Sequence, residues 1–173
     1  MQKIYLLLTV PLLVFGCSPT PPDYPTHDIG YINPENTEDA TEVFKPCDST
    51  ESIIQYYNTN TIDDAPAYYE GGPKAIRKYI LENYPQLNLH QDSGMLTIRF
   101  VINCQGQTGY FEVFENDLDF QPTSLNAHTR EQLLKITREL NAWKANFHQG
   151  SYRDSYMYLI YRIENGKITE ILP

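Results

Sequence analysis

The run Leu96-Thr97-Ile98-Arg99-Phe100-Val101-Ile102 alternates strictly. Leu96, Ile98, Phe100 and Ile102 point to one side, and Thr97, Arg99 and Val101 to the other. Period-two alternation of β-branched and aromatic residues is the pattern of a strand with one buried face. Asn103-Cys104-Gln105-Gly106 follows as a turn, and Tyr110-Phe111-Glu112-Val113-Phe114 supplies a second strand. Residues 95–114 therefore read as a hairpin whose first strand is central. Two helices are expected over the Leu96/Ile98/Phe100/Ile102 face, with a strand near the C-terminus along the free side. The expected fold is α+β: a small antiparallel sheet of three to four strands with two helices packed on one face.

The helices have their own signals. Gly71-Gly72 gives a flexible entry, and Pro73 suits a first helical position, where its missing N–H costs nothing. Ile76, Tyr79, Ile80 and Asn83/Tyr84 recur at helical spacing, and Pro85 ends the run by restricting Tyr84. A phosphate-binding loop is the poorer reading, because its lysine and hydroxyl are not in place. Thr129-Arg130-Glu131-Gln132 fits a capping box. Leu133, Ile136, Leu140 and Trp143 follow on one helical face. Trp143 is read as core, with an exposed partner-binding aromatic as the alternative. Tyr156 to Ile163 alternates again, and Asn165-Gly166 is a strong hairpin signal, with 168–172 returning as a short strand. Ser49 to Tyr57 reads equally as helix or strand, and Asn58 to Ala65 as loop.

The N-terminus is different in kind. Met1-Gln2-Lys3 is a basic start, and Ile4 to Phe15 is apolar apart from Thr9. That is too short for the roughly 20 residues of a membrane span, and has the form of a secretory signal. Val14-Phe15-Gly16-Cys17 resembles a bacterial lipoprotein box, with 1–16 as the removed signal and Cys17 as the lipidated residue. The alternative is a plain secretory signal that contains a cysteine. Acyl chains contribute ~0.8 kcal/mol per buried CH₂, and two of them anchor stably. The resemblance, with Ser18 after the cysteine, implies an outer-membrane lipoprotein of the cell envelope, held to the membrane by its lipid. Residues 17–42 are rich in Pro, Thr, Asp, Asn and Glu and read as an extended tether. Residues 43–173 are the expected domain.

With 173 residues, 41% of them hydrophobic, the chain can bury one core. A net charge of −9 without a Lys/Arg cluster argues against nucleic acid and against attraction to anionic lipid. Cys47 and Cys104 form an even pair in an exported domain and suggest a disulfide, with two free thiols as the alternative. No metal site is expected, since His27, His90, His128 and His148 lie apart and none pairs with Cys, Asp or Glu at ligand spacing. No catalytic motif and no cofactor motif appears, so the chain reads as a non-enzyme. The 14 tyrosines suit sheet faces and surfaces, with a sugar-binding aromatic platform as the minority reading.

Taken in order, Tyr68/Tyr69, Gly71-Gly72, Ala75 and Tyr79, Tyr84-Pro85, Gly94, Gly106, Trp143-Lys144 and Gly150 resemble the TonB C-terminal domain family over about 66–172. Glu70 and Ala145 stand where prolines are usual, Cys104 lies in the turn, and the 115–128 loop is long. The resemblance implies a protein-interaction module working with outer-membrane transport. In that family an extended transporter peptide adds to the edge of the last long strand, here Tyr156, Tyr158, Ile160 and Arg162, by β-augmentation. A strand at 168–172 would occupy the same edge, either as a removable cover or as proof that this domain does not bind in that way. The partner is expected to be an outer-membrane transporter or another envelope protein. A family transducer carries an inner-membrane helix and a long spanning segment, so this chain is not expected to transmit inner-membrane energy alone. The rival expectation is a structural or cell-wall-binding envelope lipoprotein.

Overall fold

The computed structural model describes residues 32, 37–38, 44–48, 65–85 and 92–173. The leader, Cys17, His27, the 49–57 segment and His90 lie outside them. The fold is α+β. In chain order the elements are β1 (Tyr68–Tyr69), α1 (Gly72–Asn83), β2 (Gly94–Ile102), β3 (Thr108–Asn116), α2 (Ala127–Arg138), β4 (Trp143–Lys144), β5 (Asn146–His148), β6 (Ser151–Arg153), β7 (Ser155–Glu164) and β8 (Lys167–Leu172). The main sheet is antiparallel with strand order β3-β2-β7-β8. Two ribbons, β1–β4 and β5–β6, were not part of the sequence expectation.

β2 lies inside the sheet between β3 and β7, with Leu96 opposite Tyr161, Ile98 opposite Leu159 and Phe100 opposite Met157. These residues point into one core, together with Ile76 and Ile80 from α1 and Leu133, Leu134 and Ile136 from α2. Leu96, Ile98, Phe100 and Ile102 are all fully buried. Each such side chain contributes about 1.5–3 kcal/mol when withdrawn from water, which fixes the register against a one-residue slip.

The turn after β2 is built by Asn103. Its Oδ1 accepts the Gln105 and Gln107 N–H groups at 3.0 and 2.9 Å, an Asx arrangement that closes the hairpin. Gly106 completes it at φ 79, where a Cβ would stand 2.5 Å from the Trp143 carbonyl oxygen. The turn between β7 and β8 has Asn165 and Gly166 at φ 53 and 73, both left-handed, as a two-residue type I′ hairpin requires.

Helix α2 corrects one expectation. Its cap is Asn126, whose Oδ1 accepts the His128 N–H at 2.9 Å, and Thr129 lies buried inside the helix. The helix ends at Arg138, so Trp143 reaches the core from β4 rather than from a helical face. There it meets Tyr69 and Phe100 edge-on at 5.1 and 5.5 Å.

The described residues inside the expected tether pack on the domain. Ile32 is 1% exposed against Val101 and Tyr156 on the sheet face away from the helices. The Glu38 N–H donates to the Phe111 carbonyl oxygen at 2.8 Å, and the Glu38 carboxylate pairs with Arg130. Ile32 is held by apolar packing and Glu38 by its backbone bond and its charge partner.

Candidate functional site

β7 is the strand on which the resemblance places partner binding. It pairs with β2 from Ser155 to Ile163. Its other side pairs with β8 from Glu164 opposite Lys167 to Ile160 opposite Leu172. Two of the expected edge residues are therefore interior. Ile160 faces Leu172, and Arg162 faces Glu170 while its Nε pairs with Glu164 at 2.7 Å. The cause is the Asn165-Gly166 turn, which returns the chain, and the apolar Ile171, which enters the core beside α1. Arg77 of α1 then holds the strand, donating from Nε and Nη2 to the Ile171 carbonyl oxygen at 3.2 and 3.1 Å.

Of the other two residues, Tyr156 is buried beneath Ile32, and Tyr158 is 37% exposed. β8 reaches no further than Ile160, and among the described residues no strand pairs with Tyr158 or Leu159 on the side away from β2. The opposite margin of the sheet, β3, receives Glu38 at Phe111 and a bridge from Pro122 to Asn116.

The chain that enters the domain is fastened at the beginning of β7. Cys47 and Cys104 are joined by a disulfide with Cα atoms 5.9 Å apart. Asp154, fully buried just before β7, accepts the Cys104 N–H on Oδ1 and the Asp48 N–H on Oδ2, both at 2.8 Å. Asp48 in turn accepts Arg153 Nε at 2.8 Å. Phe44 lies edge-on to Tyr110 at 4.9 Å and fills the space over Gly109, where a Cβ would stand 2.1 Å from its ring. Cys47, Cys104 and Asp154 are close enough to suggest a metal, but both sulfurs are consumed by the disulfide and neither is a thiolate ligand.

A second feature lies at the same end of the sheet. A groove of about 540 Å³ opens over the Cys104–Gln105 turn and the ribbons. Tyr68, Trp143, Phe147 and Tyr152 line it, with Gln105 and Lys144 among its polar groups. Tyr68 and Tyr152 are 52% and 63% exposed, while Trp143 is 5% exposed. The Phe147 and Tyr152 rings stand 5.2 Å apart at 68°, so they form two walls at nearly a right angle. Ala65 exchanges backbone hydrogen bonds with Phe147 at 2.9 and 2.8 Å, and β6 pairs with the other side of β5. This groove draws on residues 65–152 with no local period, and the abundance of tyrosine is the one sequence signal that pointed to it.

The protonation shifts fall on tyrosines. Burial pushes up the phenols of Tyr69, Tyr84 and Tyr161, Tyr161 the furthest. Tyr161 lies in the core, and its hydroxyl sits 2.7 Å from Thr137 Oγ1.

Set beside known proteins, the chain matches no family model, no curated protein and no solved structure.

Proposed function

We propose that the chain is a non-enzymatic, TonB-like interaction module of the bacterial envelope. It is anchored through Cys17 and takes up an extended segment of an outer-membrane transporter by strand addition. One observation carries the reading: β8 stops opposite Ile160, which leaves the Ser155–Leu159 half of β7 beyond its reach. Backbone groups on such a margin supply affinity, and the alternate side chains, Tyr158 above all, supply selectivity. The order of elements after residue 66 supports it, with two glycines opening α1, a central alternating strand and a Trp-Lys step before the last long strand. The binding margin in this reading is half as long as the sequence alone implied.

A second reading, a structural or cell-wall-binding envelope lipoprotein, draws on the firm attachment of β8 through Arg77 and Ile171. A photo-crosslinking residue at position 158, and another at 170 on β8, separates the two in the full-length protein in its own envelope. Strand addition gives a crosslink from 158 to the periplasmic segment of a transporter and none from 170. Crosslinks from 158 solely to the cell wall would overturn it.

A further inference from the structure

We infer that the aromatic groove binds a neutral glycan, as a site separate from the β7 margin. Pyranose rings carry flat C–H faces that stack on aromatic rings, and hydroxyls that need polar partners at the edge. The groove offers both: the exposed rings of Tyr68 and Tyr152, the Phe147 wall standing at 68° to Tyr152, and the Gln105 amide at its turn.

Three observations choose this occupant over an extended peptide or an anion. The backbone of β5 is already paired on both sides, by Ala65 and by β6, so no strand can add there. The indole N–H of Trp143 is buried and meets no acceptor among the described residues, so the group that ordinarily reads a proline-rich peptide's carbonyl is not presented. Lys144 Nζ lies 3.1 Å from the Glu70 carboxylate, so this cation is already compensated, and the chain as a whole carries −9. An acidic ligand would meet repulsion without a free counter-charge.

Trp143 is the single tryptophan of the chain and lines the groove, so its emission reports occupancy directly. The test titrates the full-length protein in detergent with two neutral β-1,4-linked glycans, cellotetraose and chitotetraose. A second readout follows the Gln105 side-chain amide by NMR. We expect a saturable change of both signals with at least one glycan. Tyr68→Ala and Tyr152→Ala, both at exposed positions, should each weaken it about tenfold, the loss of one stacked ring. Phe120→Ala, at an exposed aromatic outside the groove, should leave it unchanged. An unsaturable or absent response to both glycans would overturn the assignment. So would saturation by a proline-rich peptide alone. Neither outcome bears on strand addition at β7, which is read at position 158.

Discussion

Ile160 and Leu172 face one another on the last rung of the ladder between β7 and β8. The next residue, Pro173, has no N–H to extend the pairing. The length of β8 thus sets how much of β7 remains to be offered.

The hold on β8 is testable at Arg77. Arg77 is exposed as a residue and its two bonds to the Ile171 carbonyl oxygen are partly buried, so they contribute modestly, about 0.5–1 kcal/mol. Arg77→Ala should lower global stability by that amount in urea and quicken amide exchange in β8 more than in β2. Equal quickening in both strands would mean that Arg77 does not fasten β8 specifically.

The disulfide closes a long loop, with a sequence separation of 57 between Cys47 and Cys104. Loop-closure entropy of that size corresponds to roughly 4 kcal/mol. A Cys47→Ser, Cys104→Ser double variant should show a urea midpoint lower by a corresponding margin. Packing of 44–48 on Asp154 and Tyr110 should also be lost, read from the Phe44 and Tyr110 ring resonances. An unchanged midpoint would place the stability of the domain elsewhere.

Trp143 packs the β1–β4 ribbon onto the core, meeting Tyr69 and Phe100. Trp143→Ala removes a buried indole and should cost about 3–5 kcal/mol, measured by denaturant unfolding. A cost below about 1 kcal/mol would return the residue to the surface role that the sequence left open.

Alkaline pH provides a test of the core. Thr137 donates its hydroxyl to the Leu133 carbonyl oxygen at 2.7 Å, so the Tyr161 O–H is the donor in the Tyr161–Thr137 bond. Burial, the largest cause, holds the Tyr161 phenol above the usual value near 10. Below that pH both folded and unfolded chains keep the proton and stability is unaffected. Above it the unfolded chain ionises first, so stability falls by up to ~1.4 kcal/mol per pH unit for this tyrosine. Tyr69 and Tyr84 shift in the same direction. Tyr161→Phe should be about 1 kcal/mol less stable at pH 7, because Thr137 Oγ1 loses its donor. It should also lose stability less steeply above pH 10. An identical alkaline slope would show that Tyr161 ionises as freely folded as unfolded.

The central strand, the hairpins and the core face were legible because each rests on local spacing: Leu96 to Ile102 alternates, and Asn165-Gly166 demands left-handed backbone. The cap of α2 was misread because Thr129 and Gln132 reproduce a capping spacing inside a helix that Asn126 starts three residues earlier. Trp143 fell at a helical interval from Leu133 by coincidence, since the helix ends at Arg138. The extent of β8 along β7 and the convergence of Tyr68, Phe147 and Tyr152 are consequences of tertiary pairing, and no window of the sequence encodes them. The packing of Ile32 was hidden by the polar composition around it.

The most direct measurement is residue-resolved amide exchange across β7, with and without a synthetic periplasmic segment of an outer-membrane transporter. In the free protein we expect Tyr161 to Glu164 to be protected on both sides and the outward amides around Tyr158 to exchange faster. The added segment should then slow those amides and leave β3 unchanged. Uniform protection of β7 before any segment is added, with no further slowing afterwards, would contradict strand addition at this margin.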